Sequence, residues 1–292
     1  MAPIGFKGKA RQHQIKFRKE VLKAVRGEQE YHLSDADASR GLIFFDGLNI
    51  FIAAKERYGI KEEQYKACYS NMLRSEHIPF NFFVPLAYDH KYAREIVNRF
   101  LDGIIKEITS IQIEHAPDPG KALKDKTSFD VYIEYQHVDG LQGVLGIEVK
   151  YTERGYPLIE HSKEEREMND TNSVYYSLTN KLGLYKKEFI PKLRGDDFRQ
   201  VWRNQLLGES MTRKNHPESN VEHFTSIILY PAGNKHFQDV ISEYTGFLSP
   251  GHESSFMGIT YEEFIKTARE LTTDSEYLRW LQYLEDRYIV KE

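Results

Sequence analysis

Cysteine is nearly missing from this sequence. Cys68 stands alone among 292 residues, which excludes an internal disulfide and a zinc site built from several cysteines. Long apolar runs are missing too. No uninterrupted hydrophobic stretch is long enough to span a bilayer, and Met1 to Arg26 holds no apolar core of signal-peptide size. The expected setting is soluble, reducing and cytoplasmic. There is no internal repeat, low-complexity tract or Gly/Ser linker. Signatures of several other chemistries are also absent. Asp118-Pro-Gly-Lys121 lacks the spacing of a P-loop, and Gly140, Gly143 and Gly146 are wrongly spaced for a dinucleotide fingerprint. Neither His-Glu-x-x-His nor Gly-x-Ser-x-Gly occurs.

What is present is enough to fold. A hydrophobic share of 40% with 13% aromatics builds a packed core, whereas disorder needs fewer apolar residues and a larger net charge than −4. That charge is unevenly spread. Lys7, Lys9, Arg11, Lys16, Arg18, Lys19, Lys23 and Arg26 form one basic stretch, and Lys181 to Arg203 form another. Glu164, Glu165, Glu167 and Asp170 lie between them. Basic clusters permit phosphate binding, but solvated helix faces look the same in sequence. Tyr175, Tyr176 and Tyr185 read as core or surface aromatics.

Periodicity orders the chain. Gln14 to Val25 reads as a basic amphipathic helix with Ile15, Val21, Leu22 and Val25 on one side, and Glu62 to Leu73 looks helical. Ile78 to Leu86 is apolar and aromatic, broken by Pro79 and Pro85. Tyr92, Ile96, Phe100, Ile104 and Ile105 recur at helical spacing and predict a helix over Lys91 to Ile108. Ser110–Glu114, Ser128–Gln136 and Gly143–Thr152 then read as three strands, with Ala116 to Asp125 as the first loop and Asp139-Gly140 as the second turn. A helix over Phe198 to Met211, with Asp196 and Asp197 available as caps, precedes a strand at Phe224 to Tyr230. A short strand at Phe256 to Ile259 and helices over Tyr261 to Leu271 and Asp274 to Ile289 complete the chain.

Side chains alternate along a strand, so Phe129, Val131, Ile133 and Tyr135 share one face, leaving Asp130, Tyr132 and Glu134 on the other. Leu145, Ile147, Val149 and Tyr151 likewise oppose Gly146, Glu148 and Lys150. Burying both apolar faces together sets Asp130 beside Glu148 and Lys150. The hairpin imposes a condition. A two-residue turn at Asp139-Gly140 pairs Asp130 with Val149 and puts the faces out of phase, whereas a three-residue loop, or a bulge near Gly143, sets Asp130 opposite Glu148. The second geometry is the expectation.

Two carboxylates on neighbouring strands supply hard oxygen ligands suited to Mg²⁺ or Mn²⁺, and the Val149 backbone carbonyl can join them. Lys150 reaches the same pocket, where it can orient water or stabilise a charged transition state. An acidic-x-basic triplet alone says little, since about six arise by chance in such a composition; Asp89-His-Lys91 is one. The context is more specific. In TSFDVYIEY (Thr127–Tyr135), LGIEVKYTE (Leu145–Glu153) and VWRNQLLGE (Val201–Glu209) the sequence resembles the PD-(D/E)xK nuclease superfamily. LRSEHIPFNFFVPLA (Leu73–Ala87) is similar to uncharacterised bacterial restriction-endonuclease-like members. The resemblance spans roughly Leu73 to Tyr230. It implies that Asp130 and Glu148 are metal ligands and Lys150 the catalytic lysine, although Phe129 stands where the family carries Pro. It also implies a helix-borne glutamine near the metal, for which Gln205 fits the inward stripe behind Val201 and Trp202. Glu76 is a further candidate metal ligand, while His77 as a general base has no support from its neighbours.

The expected fold is α/β: a restriction-endonuclease-like αβββαβ core over 88–231, with a mixed central sheet flanked by helices. Helical additions at 1–87 and 232–292 complete one nuclease-like domain. The expected activity is Mg²⁺- or Mn²⁺-dependent hydrolysis of DNA phosphodiesters, restriction-like in style. Arg199, Arg203 and Lys181 are the candidate phosphate contacts, and a homodimer is an optional partner arrangement. Two rivals stand beside this reading: another nuclease role on the same site, and a nuclease-like fold that binds DNA or protein without cutting. If Asp130 faced away from Glu148, a plain helical scaffold with a small sheet would be favoured instead.

Overall fold

A computed structural model describes residues 5–59, 65–117, 123, 127–155 and 157–290. In chain order the helices before the sheet are α1 (Phe6–Glu20), α2 (Asp35–Ser39), α3 (Ile50–Tyr58), α4 (Ile78–Tyr88) and α5 (His90–Asn98). Strands β1 (Ile105–His115), β2 (Phe129–His137) and β3 (Gln142–Val149) follow, then α6 (Lys163–Asn169), α7 (Val174–Leu182) and α8 (Arg199–Ser210). The chain continues with β4 (Val221–Tyr230), α9 (Lys235–Phe247), β5 (Phe256–Thr260), α10 (Tyr261–Glu270) and α11 (Ser275–Tyr288). The five strands make one mixed sheet in the order β1-β2-β3-β4-β5, antiparallel through β3 and parallel from β3 to β5. The expected α/β architecture is therefore present, and among the described residues no helix is long and apolar enough to cross a membrane.

Helices cover both faces. Val131, Ile133, Tyr135, Leu145, Ile147 and Val149 pack against α1, α4, α10 and α11 in one core. Tyr132, Val144, Phe224 and Ile228 pack against α6 to α9 in the other. Phe129 departs from simple alternation. Its ring belongs to the second core and lies where a Cβ at Gly146 would sit, 2.4 Å from the nearest ring carbon. Glycine at 146 is thus required by a close approach rather than by its backbone angles.

The hairpin meets the stated condition. His137 donates its amide to Leu141 at 2.8 Å and Gly140 donates to His137 at 2.9 Å, closing a three-residue loop at Val138–Asp139–Gly140. Gly140 takes the left-handed φ of 90° that such loops demand. The β2–β3 register then runs unbroken from Gln136/Gln142 to Val131/Ile147.

Several boundaries differ from the pattern reading. The helix expected over Lys91 to Ile108 stops at Asn98. Asp102 and Gly103 both adopt positive φ, and Asn98 grips the backbone of Ile105 through two hydrogen bonds of 2.8 and 2.9 Å, turning the chain into β1. The apolar segment with two prolines is helical. Pro79 falls in the first turn, where its missing N–H is harmless. Pro85 lies inside the helix, whose residues from Ile78 to Leu86 are all buried. In α1 the buried side is Ala10, Gln14, Phe17 and Arg18, while Val21 and Val25 are exposed beyond its end. Part of the helix expected over Glu62 to Leu73, most of the Ala116–Asp125 loop and the Glu164 side chain lie outside the described residues. What is described of the former is a π-helical turn at Tyr65–Ser70. Asp196 and Asp197 do not cap α8, whose first cap position is Phe198.

The two ends of the chain are locked together by a buried cation. Arg287 is fully buried on α11. Its guanidinium donates to the Ile43 carbonyl, to the Tyr283 hydroxyl at 2.5 Å and to His77 Nε2 at 3.0 Å. Its charge lies 5.0 Å from the Tyr288 ring centroid. Burial, reinforced by this cation, depresses the His77 pKa far below the ordinary range, so His77 accepts as a neutral ring. His77 is therefore a structural residue, not an accessible base. Replacing Arg287 with Ala strands the Ile43 carbonyl and the imidazole without their donor, a loss expected to cost about 3–5 kcal/mol. Urea unfolding of Arg287→Ala measures it, and Arg287→Lys is expected to recover little because an ammonium cannot reproduce the fork.

Candidate active site

The register that orders the sheet also aligns three acids. Val131 faces Ile147, so the next pair is Asp130 and Glu148. On the other side Ile113 faces Val131 and His115 faces Phe129, which places Glu114 opposite Asp130. Glu114, Asp130 and Glu148 thus form a row across β1, β2 and β3. Glu114 has a left-handed φ of 58°, uncommon for a non-glycine residue and characteristic of strained functional positions.

Electrostatics shows that the row is a real cluster. Burial pushes the Asp130 carboxyl well above its ordinary range, and the charges of Glu148 and Glu114 add to the shift against the opposing pull of Lys150 and the Val149 amide. Burial likewise raises Glu114, helped by Glu148 and opposed by a hydrogen bond from Tyr58. Burial works against the charge on Lys150. Glu148 and Asp130 overcome it, so the ammonium holds its proton more tightly than a free lysine.

Glu148 is only 7% exposed and is held from three sides. Lys150 Nζ donates to its Oε1 at 2.8 Å, Gln200 Nε2 donates to the same oxygen, and Asn204 Nδ2 donates to Oε2 at 2.6 Å. Gln200 Oε1 in turn accepts from Lys150 Nζ at 2.5 Å. The Val149 amide donates to Asp130 Oδ2 at 2.7 Å. A surface ion pair on a solvent-facing strand does not describe this arrangement, because both charges are buried, Glu148 on the central strand β3 and Lys150 just past its end. Two clefts open on the group and share Glu148, Gln200 and Asn204. One continues past Lys150 to Asp196 and Asp197, and the other past Asp130 to Thr127, Ser128 and Arg203.

Gln200 and Asn204 are one helical turn apart, so α8 turns both amides toward β3. One turn further, Gly208 has the Phe224 ring 2.0 Å from a built Cβ, which lets α8 lie close on the sheet. The pattern reading selected a different amide. Gln205 is fully buried as expected, but it donates to Glu209 Oε1 at 3.3 Å and lines neither cleft. A phase of about 100° per residue separates the two positions, and an apolar stripe alone does not tell which buried amide meets the acid.

The remaining candidates divide. Arg203 stands at the mouth beside Asp130, with a guanidinium nitrogen 2.8 Å from Thr127 Oγ1. Arg199 is buried, tied to the Arg194 carbonyl and Asp196 at 2.7 and 2.9 Å, and lines neither cleft. Lys181 is exposed on the last turn of α7 and lines neither cleft. Arg74 grips both oxygens of Glu76, which leaves that carboxylate poorly placed as a ligand. Alternation within one strand does not single out Glu114, which lies one residue before the end of β1; the pairing of β1 with β2 does.

The donor set fits a hard divalent cation. Three carboxylates stand in a row, two of them raised by burial and further by their acidic neighbours, and a bound cation would offset both effects. Among the described residues, the hydrogen bonds to Asp130 and Glu148 engage Asp130 Oδ2 and both Glu148 oxygens, while Asp130 Oδ1 accepts none.

The family model of the PD-(D/E)XK nuclease superfamily matches residues 4–290 of the chain. No curated protein matches the chain, and no solved structure matches it.

Two stability effects follow. Asp130→Asn keeps an acceptor for the Val149 amide while removing a crowded charge, so in chelator at neutral pH its melting midpoint is expected to rise by about 2–4 °C. Calorimetry checks this. Glu209 is raised by burial to about 7. A carboxyl raised on folding stabilises fully below its unfolded pKa, and that stability is lost as pH climbs through about 7. Between pH 6 and 8 the chain should therefore lose about 1 kcal/mol that Glu209→Gln retains. Denaturant midpoints at the two pH values test the difference.

Proposed function

Since this chain belongs to the PD-(D/E)XK nuclease superfamily, we propose that it is a divalent-metal-dependent endonuclease that hydrolyses DNA phosphodiesters, with Asp130, Glu148 and Lys150 at its centre. The observation that carries the reading is the buried Glu148–Lys150 pair set in phase with Asp130. A buried ion pair is costly to maintain for stability alone, and perturbed acids in a cleft mark functional sites.

Asp130 and Glu148 would hold Mg²⁺ or Mn²⁺, with the Val149 carbonyl completing the protein ligands. When bound, such a cation polarises the phosphate and makes a water molecule more acidic. The chain's own groups do the rest. Lys150 keeps its proton, so it acts as a donor toward developing negative charge rather than as a base. Gln200 and Asn204 fix the Glu148 carboxylate and thereby position it for the cation. Arg203, beside Thr127 and Ser128, offers a guanidinium to the phosphate on the Asp130 side. Glu114 adds a third carboxylate that favours cation binding. All of these groups come from one chain, so the chemistry does not call for a homodimer. A restriction-like role fits the resemblance of Leu73–Ala87.

Supercoiled and linear DNA incubated with Mg²⁺ or Mn²⁺ should be cut by the native protein. Lys150→Ala is expected to lower the rate by about 10²–10³-fold without abolishing metal binding by calorimetry. Asn204→Ala should weaken the metal by about 10–100-fold. Cutting that survives Lys150→Ala unchanged would remove the lysine's role. If the native protein binds no metal and cuts neither DNA nor RNA, it is a binding module on a nuclease fold.

A further inference from the structure

The opposite end of the β2–β3 hairpin carries a second group of potential ligands. Glu148 lies six residues along β3 from Gln142, a span of about 20 Å at strand rise. At the Gln142 end, His137 closes β2, Asp139 occupies the three-residue loop, and His223 sits near the start of β4 opposite Gly143. Asp139 Oδ1 lies 2.9 Å from His137 Nδ1 and Asp139 Oδ2 lies 2.9 Å from His223 Nε2. One donor atom from each residue falls within 4.8 Å of the other two. The two imidazole rings stack with centroids 4.2 Å apart, brought together from different strands around a single carboxylate.

We propose that His137, Asp139 and His223 bind one borderline divalent transition-metal ion of the zinc class, independently of the cutting centre. Zinc bonds of about 2.0–2.1 Å in a tetrahedron put donors roughly 3.3 Å apart, so rotations of Asp139 and His223, both more exposed than His137 at 17%, would bring this triad to the required spacing. Two imidazoles with one carboxylate suit zinc rather than Mg²⁺, which prefers all-oxygen surroundings. The side chains of Asp139 and His223 are 40% and 36% exposed, leaving a path for the ion and room for water as a fourth ligand. The Asp139 loop is already shaped for this. Leu141 donates to Asp139 Oδ1 at 2.8 Å, orienting the carboxylate between the two rings. The Asp139 amide also lies 3.2 Å from His137 Nδ1, a contact that the ion would replace. Bridging β2, the loop and β4 would fasten the hairpin whose register aligns the acids at the far end. This inference does not rest on the nuclease reading.

Zn²⁺ titration of the full chain carrying Asp130→Asn and Glu148→Gln separates the two sites, since those substitutions remove the two carboxylates proposed to hold the metal of the cutting centre and leave only Glu114 of the row. One equivalent of Zn²⁺ is expected to remain by calorimetry. Adding His223→Ala should weaken it by more than about 100-fold, beyond what loss of an outer partner causes. Zn²⁺ should also raise the melting midpoint of the double variant but not of the His223→Ala form. Should His223→Ala fail to fold, Asp139→Asn provides the same comparison, and Co²⁺ in the unsubstituted triad should give the visible bands of a tetrahedral nitrogen–oxygen site. No zinc equivalent in the double variant, or an equivalent unmoved by the triad substitutions, overturns the proposal.

Discussion

The register of the β2–β3 hairpin is the constraint on which the rest of the molecule depends. Because side chains alternate, a slip of one residue would carry Asp130 to the face occupied by Val131 and dissolve the acidic row. A loop of three residues, closed by the His137–Leu141 and Gly140–His137 hydrogen bonds, prevents the slip. The same register seats Tyr135 over Gly143 and Phe129 over Gly146, where no larger residue fits. Backbone geometry and side-chain packing therefore specify one alignment together, and the acids inherit their positions from it.

That alignment concentrates negative charge. Burial raises the carboxyls of Asp130 and Glu114 above their ordinary range, and the charges of their acidic neighbours in the row add to both shifts. Lys150 compensates part of the excess, and the amides of Gln200, Asn204 and Val149 supply hydrogen bonds that stabilise the charged forms. Polar neighbours do not fully offset the burial, which leaves a standing preference for an additional cation. The burial and charge that make the row unfavourable by itself are also what a bound cation would offset.

How much of this could be read from the sequence depended on whether a pattern had a fixed phase. Strand alternation is locked at two, so the shared face of Asp130, Glu148 and Lys150 was legible, and so was the need for an odd-length loop. Helical phase is looser. Gln205 and Asn204 are neighbours in sequence and both are buried, yet only Asn204 meets Glu148, because the crossing of α8 over β3 is set by Gly208 against Phe224 rather than by the apolar stripe. The helix expected over Lys91 to Ile108 failed for a related reason. Its apolar spacing continued past Asp102-Gly103, a dipeptide that marks a turn and here takes the chain left-handed, so the turn signal rather than the periodicity located the helix end. The placing of the basic side chains was the least legible. Arg199 and Arg203 differ by one turn, but one is bound to its own loop and the other stands at the cleft.

The helical additions do more than enlarge the core. Lys150 lies just past the end of β3, where the ladder alone fixes only its amide, through Leu229 at 2.9 Å. The Tyr261 hydroxyl of α10 donates to the Lys150 carbonyl at 2.6 Å, and Asn234 donates to the Tyr151 carbonyl at 2.9 Å. Gln14 of α1 donates both to the Tyr151 hydroxyl at 2.8 Å and to the Arg287 carbonyl at 2.6 Å. The segment bearing the lysine is thus held by residues from α1, α10 and the loop before α9, and the Arg287 lock ties α1 and α11 into the same network. A lysine has four side-chain torsions, and restraining its backbone from three directions reduces the entropy lost when its ammonium is aimed at one point. The helical additions therefore set how sharply Lys150 is aimed, although none of their side chains enters the cleft beside Asp130.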